Sequence, residues 1–197
     1  DSLPYVPLET EIEALIAALP RKLRVFTKLI KETGARPGEI WFLTWKDIDF
    51  CNNIVFINCP EKGSKARAVK VSSQVISLIS QLPKKSTYVF RPNPDIQLKN
   101  FLRYYIRERR RISSELCNPK LLSINWKSLR HFKGTMEYHR TKDILHVKEV
   151  LGHKNIQNTL VYTHLVNWET DEYICKVAKT VEDATKLIES GFEYITE

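Results

Sequence analysis

No stretch of this sequence is apolar for long enough to cross a bilayer, and its start lacks the charged, apolar and small-residue pattern of a secretion signal. Both absences exclude a spanning or exported protein from the expectations and point to the cytoplasm. Cysteine is scarce. Cys51, Cys59, Cys117 and Cys175 are widely spaced without a C-x-x-C pair, which fits neither a disulfide framework nor a zinc module. Ordinary buried thiols in a reducing compartment are expected instead. The five histidines all fall between His131 and His164, yet none are spaced H-x-x-x-H, so no metal site is expected. Repeats and low-complexity tracts are missing too. Acidic residues are outnumbered, 23 against 31 Lys and Arg, leaving a net charge of +8. That balance favours a polyanionic partner, either nucleic acid or an acidic membrane surface. The chain opens on Asp1 rather than Met, so a piece of a longer protein is expected.

A length of 197 residues suits one domain, or one domain with a small appendage, and allows a substantial core. Apolar residues recur at helical spacing in LETEIEALIAAL, which Pro20 ends, and in KLRVFTKLIKETG, which Gly34 ends. Pro37 opens a short helix, PGEIWFLTW, in the first-turn position that suits proline. The stretch from Ile48 to Val71 reads as three strands, with turns at Asn52-Asn53 and at Gly63. Helices are expected again in SSQVISLISQL, DIQLKNFLRYYIRERRRISSEL, NWKSLRHFKGTMEYHR and DILHVKEVL, the last capped by Asp143 and ended by Gly152. KNIQNTLVYTHL and TVEDATKLIES complete the pattern. The sum is a mainly α or α+β fold with one small antiparallel sheet.

Four segments carry residues suited to phosphate chemistry. Arg36 lies between a glycine helix end and a proline helix start, where a planar guanidinium projects from a rigid corner. Glu39, three residues on, can orient it or a neighbouring base. A surface arginine at a turn would look the same. Lys62 stands at a hairpin tip with Lys65 and Arg67, placed either to enter a nucleic-acid groove or simply to keep a sheet edge soluble. Lys127 and Arg130 share a helical face, with Trp126 and Leu129 anchoring the other side. They read as an anion clamp or as a solvated face. His153 follows Gly152, and Tyr162 lies nine residues further on. A tyrosine of ordinary pKa, about 10, becomes a nucleophile only where cations lower that value or a base takes the proton. Most tyrosines so placed are packed aromatics.

In order, G-x-R-x-x-E, K-G in a turn, K-x-L-R-H, L-G-H and Y-T-H resemble the tyrosine recombinase (phage integrase) family, from the first helix to Leu165. The resemblance implies that family's catalytic-domain fold, a helical bundle with a three-stranded sheet. It implies residues 1–172 as the catalytic domain, preceded in the whole protein by a DNA-clamping domain. Residues 173–197 then form a tail, similar to the archaeal branch, that packs on the same or a neighbouring protomer. By position, Arg36 and Arg130 correspond to the arginines that hold the scissile phosphate, and Lys62 to the lysine that protonates the leaving 5′-oxygen. His153 matches the histidine bonding a phosphate oxygen, Tyr162 the nucleophile, and Glu39 the supporting acid. Lys127 stands where histidine is usual, as in some members and in type IB topoisomerases. That leaves the acceptor of the tyrosine's proton unassigned, because a charged lysine cannot be a base. The implied reaction is site-specific cutting and rejoining of double-stranded DNA through a 3′-phosphotyrosine, by a homo-tetramer on DNA, with no metal, ATP or other cofactor. A relaxing enzyme of the topoisomerase type and an inactive DNA-binding module are the alternatives. Separately, Arg103, Arg107 and Arg110 fall near one helical face and are expected to contact the DNA backbone, against the alternative of a solvated face. His131 is expected to pack under the site, and His139 and His146 to face solvent.

Overall fold

The computed structural model describes residues 5–93, 95–163 and Thr185. The chain divides into two compact units, 1–166 and 167–197. The expected tail helix, Cys175 and His164 lie outside the described residues.

Helix α1 (Glu9–Ala18) buries Ile12, Leu15 and Ile16, which recur at helical spacing. Helix α2 (Arg21–Thr33) buries Leu23, Phe26, Leu29 and Ile30 along its inner face. It ends at Gly34, whose φ of 63° is left-handed. A Cβ at Gly34 would lie 2.7 Å from Leu151 Cδ2, so glycine is needed for both the turn and the close approach. Helix α3 (Pro37–Trp41) starts at the expected proline but stops short of the expected end at Trp45. Beyond it, Thr44 bridges to Tyr88, and the Asp47 carboxylate accepts from the Thr44 N–H (2.8 Å) and hydroxyl (2.6 Å). Those bonds favour a 3₁₀ turn over Trp45–Asp47 in place of continued helix.

Strands β1 (Ile48–Asp49), β2 (Ile54–Ile57) and β3 (Arg67–Lys70) form an antiparallel sheet in sequence order. Val55 pairs with Ile48 on one side and Val69 on the other. Helix α4 (Ser73–Ser80) is capped by the Ser72 side chain, which accepts from the Val75 N–H. Helix α5 (Leu98–Glu115) follows, and Pro119–Ser123 form a 3₁₀ turn. Helix α6 (Trp126–Thr141) is capped by Asn125, and helix α7 (Ile144–Leu151) by Asp143, which accepts from the Leu145 and His146 N–H groups. The segment bearing Tyr162 is not one helix. It is a short α8 (Gln157–Leu160) running into a 3₁₀ turn over Val161–Thr163.

Phe26 of α2 is the centre of the core, edge-on to Phe90 and Phe101 (both 5.0 Å between centroids) and tilted against Trp126 at 4.7 Å. Tyr105 also stacks on Trp126 and donates its hydroxyl to the Ile124 carbonyl at 2.9 Å. This aromatic seam joins α2, α5 and α6, so the start of α6 is held against the α2–α3 corner. A smaller cluster, Val147, Leu151 and Tyr162, sits beside it with Tyr138 and Val161. No helix of the described residues is long and apolar enough to cross a membrane. The expectation of buried thiols fails for Cys51, Cys59 and Cys117, which are free and exposed. They occupy the turns after β1 and β2 and the end of α5, where a small side chain has no core to enter.

Candidate active site

Arg36 extends from the corner between α2 and α3. Its backbone N–H donates to Glu39 Oε2 at 2.8 Å, closing the first turn of α3. Its guanidinium reaches the loop between β2 and β3, donating to the Glu61 carbonyl at 3.2 Å and to the Ser64 hydroxyl. The Glu39 side chain is wholly buried, 2.8 Å from Arg67 Nη2 and 3.7 Å from Arg36 Nη1. Burial pushes the carboxyl up, but the bond and charge of Arg67, with the N–H groups of Arg36 and Glu61, outweigh it and hold it below the usual range. Arg67, expected among the DNA contacts, therefore has a different place. Its side chain is 7% exposed, bound to Glu39 and donating to the Val150 carbonyl at 3.0 Å. Position 67 is the first residue of β3, where the pleat turns the side chain inward beneath the loop.

Lys62 does stand at the loop tip, exposed and in a left-handed conformation (φ 49°), with Lys65 exposed nearby. The Lys65 N–H donates to the Gly152 carbonyl at 3.1 Å. The loop is thus pinned at Arg36 on one side and at the end of α7 on the other.

Arg130 is buried on the inner face of α6. It donates to the Leu151 carbonyl at 2.8 Å and to the Gly34 carbonyl, the two helix ends that meet at Gly34. Burial and the neighbouring Arg36 charge lower its pKa to about 10, still protonated near neutrality. Lys127, one turn earlier on α6, is exposed, and its charge acts on His131. The expected shared face therefore has a buried guanidinium and a solvated ammonium. His153 is buried beyond α7, its Nδ1 2.9 Å from the Thr159 hydroxyl, which leaves Nε2 for another partner. Burial and the charges of Arg130, Arg36 and Arg67 hold its pKa near about 4, so the ring is neutral.

Tyr162 is 1% exposed. A Cβ on Gly134 would lie 2.6 Å from the phenol Cζ, so the ring rests directly on the α6 backbone. Its hydroxyl is 3.3 Å from His131 Nδ1. The expected lowering of its pKa by cations is only half met. Arg130 and Arg36 act in that direction, but burial outweighs them and pushes the phenol up to about 12. His146 lies 3.4 Å from Glu137, and His139 is exposed.

Arg103, Arg107 and Arg110 are exposed on α5, as their spacing predicts, with Arg107 stacked over Tyr104 at 5.0 Å. Arg109 instead turns inward to the Ile124 carbonyl at 2.6 Å. Sequence reasoning overlooked Ser64, Thr159 and Gly134. Gly134, an isolated glycine within a helical pattern, signals a close approach, whereas nothing in local periodicity marks the other two.

Arg36, Arg67 and Arg130 face one carboxylate, Glu39, that is already bonded to Arg67. Three positive charges against one negative leave an excess of two in a largely buried site, the electrostatic requirement of a phosphodiester approaching a charged transition state. Among the described residues no cluster of three or more His, Cys, Asp or Glu could hold a metal ion.

A buried cation cluster with a phenol at its edge, on this helical scaffold, defines a class. The chain matches the phage integrase family over residues 8–168 and belongs to it. Among curated proteins it is 32% identical to the tyrosine recombinase XerC of Halalkalibacterium halodurans over 181 residues, covering 83% of this chain and 58% of that one. It is 26% identical to XerA of Saccharolobus solfataricus over 162 residues, covering 80% of this chain and 51% of that one. The chain thus spans little more than half the length of these relatives. A crystal structure of XerA recombinase superposes with a TM-score of 0.68 at 20% identity, covering 98% of this chain and 68% of that one. XerH site-specific recombinase, bound to a palindromic difH substrate in a post-cleavage complex, gives 0.65 at 24% identity, covering 96% and 53%. Both establish the shared fold.

Proposed function

We propose that this chain is the catalytic region of a site-specific DNA recombinase that cuts and rejoins DNA through Tyr162, with neither metal nor ATP. The supporting observation is that the four separate segments bearing Arg36, Arg130, His153 and Tyr162 converge, close enough for the charges of Arg36 and Arg130 to act on both His153 and Tyr162. The XerH relative, solved on its DNA substrate, adds support. Arg36 and Arg130 clamp the non-bridging oxygens of the scissile phosphate, and His153 offers Nε2 to the same group. Charge that grows on those oxygens meets donors already fixed by Glu61, Ser64, Gly34 and Leu151, so little reorganisation is needed.

Tyr162 attacks phosphorus to give a 3′-phosphotyrosine, and Lys62 at the exposed hairpin tip protonates the departing 5′-oxygen. One phosphodiester replaces another, so no energy source is needed. The hydroxyl is buried, so attack requires DNA binding to open access to it. Glu39 holds Arg36 and Arg67 in place. Lys65 and the exposed arginines of α5 contact the DNA backbone, and exchange between two duplexes is carried out by a tetramer.

The test is a suicide duplex whose cleaved end diffuses away, followed by denaturing electrophoresis. Wild type is expected to form a covalent species, and Tyr162→Phe to form none while retaining DNA affinity. Adduct from the Phe variant would refute the assignment.

A further inference from the structure

The roles above leave the phenol proton without an acceptor. Lys127 is a cation, the guanidiniums of Arg36 and Arg130 are donors only, and His153 has its Nδ1 on Thr159. Among the described residues, one basic group remains at the phenol. His131 follows Arg130 on α6 and places Nδ1 3.3 Å from the Tyr162 hydroxyl, with the rings 5.9 Å apart. That length is usual for a catalytic contact before substrate tightens it. His131 Nε2 is buried and has no hydrogen-bond partner among the described residues, so the ring's one polar contact is the proposed nucleophile. Burial and the charges of Lys127 and Arg130 hold its pKa down to about 4, leaving the imidazole neutral with a lone pair to offer.

We propose that His131 is a catalytic residue, the base that takes the Tyr162 proton. The inference rests on the reading of Tyr162 as nucleophile. The O–H bond of Tyr162 breaks as its oxygen bonds to phosphorus, and the hydrogen passes to His131 Nδ1. The 5′-oxygen leaves with the electron pair of the P–O bond and takes a proton from Lys62. On rejoining, the attacking 5′-hydroxyl returns its proton to the Lys62 amine as its oxygen bonds to phosphorus, the P–O bond to Tyr162 breaks, and His131 returns a proton to the phenol. The imidazolium forms beside an arriving phosphate anion, which offsets the Lys127 and Arg130 charges that disfavour it in the free protein.

His131→Asn keeps an amide near the Nδ1 position, able to hold the hydroxyl but not to take its proton. On the suicide duplex its adduct formation is expected to be slower by about 10²- to 10⁴-fold with DNA binding retained. A 5′-bridging phosphorothiolate duplex, whose thiolate departs unprotonated, should restore Lys62→Ala but not His131→Asn. His131→Ala should be slow and partly restored by free imidazole. A wild-type rate for His131→Asn, its recovery on the phosphorothiolate duplex, or no imidazole response in the Ala variant would each overturn the proposal. Tyr162→Phe run alongside separates the two claims, since adduct from that variant sinks the nucleophile reading itself.

Discussion

Arg67 and Arg107 are the same residue type in similarly basic stretches of sequence, yet they occupy opposite environments. Arg67 lies beneath the β2–β3 loop, bonded to a carboxylate with no exposed surface. Arg107 stands on α5 with 73% of its side chain in solvent, beside Glu108 and over Tyr104. The first is part of the scaffold that aims Arg36. The second is a charge available to a distant polyanion. Basic composition therefore predicts a partner but does not say which cations meet it; burial and pairing divide them.

The sharpest way to break the comparison is to remove each side chain. Arg67→Ala strands the buried Glu39 carboxylate, and loss of one partner of such a pair costs about 3–5 kcal/mol. Urea unfolding should show that loss, whereas a variant of unchanged stability and weakened DNA affinity would return Arg67 to the interface. Acidification probes the same buried region with a moderate effect. His131 and His153 titrate near about 4 in the folded chain against an ordinary 6.5, so the unfolded chain binds their protons first. Their contribution is complete above 6.5 and declines as pH falls toward 4, while Glu39 and Glu137, held below 4.5, lose theirs only at lower pH. The melting temperature should thus drop between about pH 7 and pH 5 and drop less in His153→Gln. A flat profile would mean that neither ring is buried as described. The smallest effect belongs to α5. Arg107→Ala and Arg110→Ala should leave stability within about 0.5 kcal/mol and each reduce the salt dependence of DNA binding by about one unit of slope. An unchanged slope removes them from the contact.

Helix positions were legible because apolar residues such as Ile12, Leu15 and Leu23, Phe26 repeat at helical spacing and because Gly34, Pro37, Asp143 and Gly152 mark the ends. The three strands were legible from the turn at Asn53 and the loop at Gly63. The short α3 was not, because the Thr44–Tyr88 bridge that ends it depends on a partner far along the chain. In the site, the order of motifs was enough to nominate Arg36, Glu39, Arg130, His153 and Tyr162, which the fold brings together. Sequence spacing carried no sign of the inward turn of Arg67, of the Thr159 hydroxyl beneath His153, or of burial overriding cations at Tyr162. Each is a long-range or desolvation effect, which local pattern does not encode.

The central claim is tested most directly by digesting the protein–DNA species trapped on the suicide duplex and locating the bound nucleotide by mass spectrometry. The account predicts a nucleotide joined through its 3′-phosphate to Tyr162. Attachment at another residue, Tyr138 for example, or no covalent species from an intact, DNA-binding protein, would contradict it.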